Sequence, residues 1–120
     1  EDIAVPRTRL ADAVTGIDDI SRRTGVKIFT FAHAGDGNLH PIVLADAGPA
    51  DPIPAHVQDA VNEVFCLALR LGGTLTGEHG VGVLKRPWLA DELGDTGLEV
   101  QRSLKTVFDP AGILNPGKAL

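Results

Sequence analysis

Two runs rich in β-branched and aromatic residues, VKIFTFAH (26–33) and NLHPIVLA (38–45), are separated by AGDG. Nothing else in the chain narrows its folding as much. Alternating runs of this composition read as strands. Asp36-Gly37 between them is among the strongest short signals for a two-residue hairpin loop. Such a loop pairs Gly35 with Asn38 and His33 with His40. Directly opposed residues point to the same face, with Cβ atoms about 4.5–5.5 Å apart. Two imidazoles so placed can converge on one ion, and a one-residue change of loop length would part them. The plainer alternative is a pair of half-exposed strand residues with no common task. Pro41 argues that part of the second strand is an edge or a bulge.

The segments around the hairpin fill in an α+β layer. Ile3, Ala4 and Val5 make a short strand stopped at Pro6. Thr8 is placed to cap a helix with Leu10, Ala13, Val14, Ile17 and Ile20 at helical spacing, and Gly25 stops it. Residues 46–54 read as a loop. Asp51 and Pro52 are a cap and first-turn pair for a helix carrying Ile53, Val57, Ala60, Val61, Val64, Ala68 and Leu71 on one face. Gly72-Gly73 ends that helix. TLTGEHGVG is too short and glycine-rich to assign. Pro87 breaks the next helical stretch, and TGLE (96–99) matches a capping box. Its helix carries Val100, Leu104, Val107 and Phe108, and AGILNPGKAL follows as an extended tail. The expected fold is an antiparallel sheet with helices on one face, a ferredoxin-like split βαβ arrangement, followed by a helical C-terminal tail.

Composition excludes several classes of function. The formal net charge is −5 and basic residues never cluster beyond a pair, which argues against nucleic acid as a partner. No apolar run approaches the ~20 residues of a membrane helix. The single cysteine, Cys66, rules out an internal disulfide and fits a reducing compartment. The chain contains no methionine, so a longer protein is expected. A sheet cut from its neighbours exposes apolar surface and edges, so this portion alone is expected to self-associate.

A second group of chemical residues lies in TGEHGVG. Glu78 and His79 stand between Gly77 and Gly80, which let other groups approach the backbone closely. Two histidines and a carboxylate with open positions form a common catalytic metal site. Adjacent residues in an extended segment rarely point the same way, so Glu78 and His79 are expected to have different tasks. A solvated turn is the alternative. The glycine pattern is not a dinucleotide-binding fingerprint. Among the rest, His56 reads as solvated and Cys66 as a core filler. Lys85-Arg86 could hold a substrate carboxylate, but reads better as a surface pair.

HAGDGNLHP, GEHGVG and FDPAGILNPGK occur here in the order and at the spacing found in the C-terminal part of FAD-linked oxidases of the vanillyl-alcohol-oxidase type. The chain resembles that family over nearly its whole length. The resemblance is to the branch with glycolate oxidase, D-lactate dehydrogenases and D-2-hydroxyglutarate dehydrogenase, and most to flavin-bearing subunits of bacterial glycolate oxidases, where proline likewise follows the second histidine. It implies that His33, His40 and Glu78 hold a divalent metal (zinc, manganese or iron), that His79 is the catalytic base, and that Asn115 lies near the flavin. It implies residues 1–80 as part of a substrate-binding cap domain and 81–120 as a helical segment returning to the flavin domain. FAD would be bound mainly by a preceding domain, so these residues alone would not turn over. The implied reaction oxidises a small 2-hydroxy acid to a 2-oxo acid, with other oxidase subunits or an electron acceptor as partners. The implied place is the cytoplasm or the inner face of the membrane. One departure is Ile42, where the hydroxyglutarate enzymes carry asparagine, which disfavours a larger dicarboxylate. A non-catalytic metal-binding or docking module that partners a separate flavin subunit is the alternative. A metal-dependent hydrolase lacks a further acid or nucleophile.

Overall fold

The structure, a computed structural model, describes residues 1–46, 48 and 51–120. The expected loop over 46–54 lies partly outside the described residues, at Ala47, Pro49 and Ala50. The elements are β1 (Ile3–Ala4), α1 (Leu10–Thr24), β2 (Ile28–His33), β3 (Asn38–Val43), α2 (Ala55–Arg70) and α3 (Leu89–Phe108), with short 3-10 turns over Arg7–Arg9 and Arg86–Trp88. They form two compact units, Glu1–His79 and Gly80–Leu120. No described helix is long and apolar enough to cross a membrane.

In the first unit three strands make one antiparallel sheet in the order β1-β3-β2. β1 and β2 therefore run parallel with β3 between them, a split βαβ arrangement. Thr74 bridges to Ala4 on the outer edge of β1, with backbone bonds of 2.8 and 3.1 Å. Helices α1 and α2 pack together and cover one sheet face. Ala13, Ile17 and Ile20 of α1 are buried, as are Val57, Ala60, Val61, Val64, Phe65, Leu67 and Ala68 of α2. From the sheet, Ile3, Ile28, Leu39 and Pro41 join this core, and Leu75 closes it. The other face, carrying Phe29, Phe31 and Ile42, is open, with Phe31 61% exposed.

The hairpin differs from expectation in register. His33 pairs with Asn38, and His40 pairs with Phe31, so the loop is residues 34–37 rather than Asp36-Gly37 alone. Two contacts outcompete the tighter turn. Asp36 Oδ1 accepts the backbone N–H of Asn38 at 3.0 Å, the local bonding at which Asp excels. Gly37 O accepts the N–H of Val5 at 3.0 Å. Gly37 has φ +86°, and a Cβ there would lie 2.1 Å from Val5 O, so no side chain fits. The shift from expectation is two residues in sum, and the period of a strand is also two. Both histidines therefore stay on one face, diagonal rather than opposed.

Pro41 lies in the central strand, not at an edge as expected. Bonding between β2 and β3 alternates from Leu44 N–H to Lys27 O, which turns the Pro41 ring nitrogen toward β1. β1 spans only Ile3–Ala4. Beyond it the Glu1 nitrogen donates to Pro41 O at 3.1 Å, and proline has no N–H to return.

Helix starts also depart from the sequence reading. α1 enters through the turn at Arg7–Arg9, where Arg9 N–H reaches Pro6 O at 2.7 Å, and Thr8 makes no cap. Pro6 sets the entry angle in place of the side-chain cap. α2 follows Pro54 rather than Asp51, and Asp51 instead accepts the Gly48 N–H at 2.8 Å. Ile53 is accordingly outside the helix and exposed. Gly25, at φ +71°, ends α1 as expected. Cys66 is exposed. Its neighbours Phe65 and Leu67 take the core positions, so it is no core filler.

The second unit holds α3, which begins earlier than the expected capping box at 96–99 and leaves helical geometry at Gly94 (φ 65°, ψ 173°). Lys85 is buried rather than part of a surface pair, whereas Arg86 is exposed and donates to Gly117 O at 2.9 Å. Buried Asp109 ends α3 and accepts the N–H groups of Ile113 (3.0 Å) and Leu114 (2.9 Å), with Lys105 as ion partner. The Lys105 hydrogen bond holds the Asp109 carboxyl below its ordinary value. Burial opposes this, and the two backbone N–H groups support it. A lowered folded pKa stabilises above the unfolded value, and the benefit is lost as pH falls through the folded one. Hydrogen exchange at the Ile113 and Leu114 amides should therefore stay protected at neutral pH. Protection should fall away as pH drops below about 4, the ordinary carboxyl range. In Asp109→Asn the same amides should be weakly protected at every pH.

Candidate metal centre

The β2–β3 hairpin brings the histidines together. Strand alternation puts His33 and His40 on the open sheet face. Their rings meet edge to face, with centroids 5.1 Å apart. The third group arrives from a distant part of the sequence. After α2 the chain passes along the edge of β1 at Thr74 and buries Leu75, then turns over the open face as Thr76-Gly77-Glu78-His79.

There, Glu78 Oε1 stands 3.1 Å from His40 Nε2 and 3.8 Å from His33 Nε2. One ligand atom from each of His33, His40 and Glu78 lies within 4.8 Å of the others. His40 is the least exposed of the three side chains at 19%, while His33 at 60% and Glu78 at 52% open to solvent. Two imidazole nitrogens and a carboxylate oxygen suit zinc, manganese or iron. Small side-chain rotations would close the three donors on a single ion, and the exposed side leaves room for exchangeable ligands.

His79 borders this group. Its Nε2 is 3.8 Å from Glu78 Oε1, and its ring centroid is 5.3 Å from that of His40. The three-residue ligand group does not include it. Glu78 and His79 nevertheless approach one another more closely than an extended segment allows, because this stretch is bent. Asn115 belongs to the second unit. It takes a left-handed conformation (φ 47°) in the exposed tail, and its carbonyl accepts the Lys118 N–H at 3.2 Å. His56 is exposed on α2, as expected.

Two residues that serve this region went unread in the sequence. Asp2 is buried, and its carboxylate accepts the N–H groups of Gly77, Glu78 and His79. Asn38 is buried between the hairpin and Gly77, and its Oδ1 has no hydrogen-bond partner among the described residues. A Cβ on Gly77 would come within 2.1 Å of that oxygen. The Asn38 signal was present in part, since it shares the alternation of His40. Asp2 had no local signal, because a lone carboxylate before a two-residue strand is common.

Comparison with known proteins gives one family. The family described as FAD linked oxidases, C-terminal domain, matches residues 1–119. The glycolate oxidase subunit GlcD of Bacillus subtilis is 48% identical over 118 residues, which is 98% of this chain and 25% of that protein. The D-lactate dehydrogenase of Anaerostipes hadrus is 34% identical over 117 residues, 98% of this chain and 25% of that protein. The mitochondrial cytochrome D-lactate dehydrogenase of Kluyveromyces lactis is 36% identical over 117 residues, covering 98% and 20%. The chain thus spans a quarter or less of the length of these relatives.

The close fit of Gly77 against Asn38 yields a stability prediction. Gly77→Ala should destabilise the chain by about 1–3 kcal/mol, the usual cost of overpacking. Chemical denaturation measures it. An unchanged midpoint would mean that the Asn38 amide is free to swing aside.

Proposed function

The chain belongs to the C-terminal domain family of the FAD-linked oxidases, and on that premise we propose that it serves a flavin-dependent 2-hydroxy-acid dehydrogenase of the glycolate or D-lactate kind. His33, His40 and Glu78 are the metal ligands in this reading, and His79 is the base. The observation that carries it is the convergence of the three ligand side chains on one open sheet face, with a third imidazole alongside. Asn115 is assigned to the flavin side, and FAD itself to a portion of the protein beyond these residues.

A 2-hydroxy acid offers a carboxylate and a neighbouring hydroxyl, a natural chelating pair. A divalent ion held by these ligands would supply Lewis-acid polarisation of the hydroxyl. His79 Nε2, in the tautomer that carries its proton on Nδ1, is the proton acceptor for that hydroxyl, a task suited to an imidazole. As the proton goes to His79, the carbon gives up its hydrogen with two electrons as hydride, and the C–O single bond becomes a carbonyl. The two-electron acceptor for that hydride is the chemistry that bound FAD would supply. Phe29, Phe31 and Ile42 give the site apolar surroundings on the same face. Against these the rest of the protein would close and exclude water. Ile42, two residues beyond His40, offers nothing polar to a second substrate carboxylate, which favours a small monocarboxylic hydroxy acid.

The test separates ligand from base in the intact flavoprotein. Glu78→Gln should lower metal content and activity together, since a neutral amide is a poorer ligand. His79→Asn should keep the metal and slow flavin reduction by about 10²–10⁴, the usual cost of a lost general base. Metal analysis beside single-turnover flavin reduction reads both. Loss of metal in His79→Asn as complete as in Glu78→Gln would refute the division of roles. Parent-like flavin reduction in both variants would refute the site.

A further inference from the structure

The Asp2 side chain is fully buried, at 0% exposure, on the polar side of an otherwise apolar strand. Continuing the β1 register beyond Ile3↔Leu39 sets Asp2 opposite His40, on the open face. Asp2 Oδ2 accepts three consecutive backbone N–H groups, from Gly77 at 2.7 Å, Glu78 at 2.6 Å and His79 at 2.9 Å. The Thr76 hydroxyl lies 3.2 Å from both carboxylate oxygens. Asp2 Oδ1 is 3.6 Å from His79 Nδ1, one small ring rotation from a hydrogen bond.

Successive N–H groups that converge on one point make an anion-binding nest. Here the anion is a side chain of the same chain, and the bonds are charge-assisted, about twice as strong as neutral ones. Two of the three residues in the nest are Glu78 and His79. The backbone from which they project is thus held by a carboxylate more than seventy positions away in sequence. The two nitrogens of the His79 ring face different carboxylates, Nδ1 toward buried Asp2 and Nε2 toward exposed Glu78 at 3.8 Å. Of the two, Asp2 is the nearer and the more shielded from water, where a hydrogen bond is stronger.

We propose that Asp2 is the positioning residue of this site, fixing the backbone that presents Glu78 and His79 and keeping the proton of the neutral His79 ring on Nδ1. Nε2 is then the open lone pair. The proposal rests on the roles given above to Glu78 and His79. It adds the group that sets their geometry and the ring tautomer. Asparagine at this position keeps one acceptor oxygen but replaces the other with an NH₂ donor that faces donors.

The chain itself is the material for the test. Long-range ¹⁵N–¹H spectra of the neutral His79 ring should find its proton on Nδ1. In Asp2→Asn the proton should move toward Nε2. Zinc affinity by calorimetry should fall by about 10–100-fold, the usual effect of losing a group that orients metal ligands. Thr76→Val, which keeps the carboxylate, should hold the parent tautomer. A role in stability alone would leave the tautomer where it was. A parent His79 with its proton on Nε2 would overturn the proposal, and so would an Asp2→Asn chain with parent tautomer and zinc affinity. If Asp2→Asn fails to fold, the parent spectrum still decides. If the parent binds no zinc, the metal reading falls while the tautomer continues to test Asp2.

Discussion

Ala4 lies between two other segments of backbone, Asn38 of β3 on one side and Thr74 on the other. The path of residues 74–79 over the open sheet face follows from this short pairing. It aligns Asp2 with His40, carries the chain after α2 along the β1 edge, and releases it as Thr76–His79 above the two histidines. The backbone bonds at Thr74 anchor the chain just before that turn. The pairing is short, with Ile3 and Ala4 alone in the strand. It still suffices, because Val5 also bonds to Gly37 and so ties the end of β1 to the hairpin loop.

The sheet divides its tasks between its faces. One face is sealed by α1 and α2 over Ile3, Ile28 and Leu39, and supplies the burial that holds the unit together. The cross-helix ion pair of Arg23 with Glu63 adds little to this, since both side chains are exposed. The other face combines apolar side chains with the imidazoles and leaves them uncovered. A rigid, covered side supporting an open, chemically equipped one is the usual arrangement where side chains must be held at fixed distances.

Two buried carboxylates do similar work in the two units. Asp2 collects three backbone N–H groups from the turn that bears Glu78 and His79. Asp109 collects those of Ile113 and Leu114 at the start of the tail that bears Asn115. In both places an irregular segment has no ladder or helix to satisfy its donors, and an unpaired buried N–H is costly. A charged acceptor meets that need and orders the segment. Asp109 has Lys105 beside it within one helical turn, so its bonding is local in sequence; that of Asp2 is not.

Local pattern in the sequence determined the helices and strands, the α+β class, and the sharing of one face by His33 and His40. These depend on periods of 3.6 and 2, which any short window carries. The shared face survived an error in loop length because the error was even. Tertiary structure alone decided the register, since Asp36 and Val5 compete for the turn backbone. It also decided where the helices start, with Pro6 and Pro54 in place of the expected caps. Cys66 faces solvent because Phe65 and Leu67 fill the core beside it. The approach of Glu78 to the histidines, and the hold of Asp2 on its backbone, join residues 38 and 76 positions apart. No local window contains such a pair. It forms because β1 lies along β3 and the chain returns along the far edge of β1.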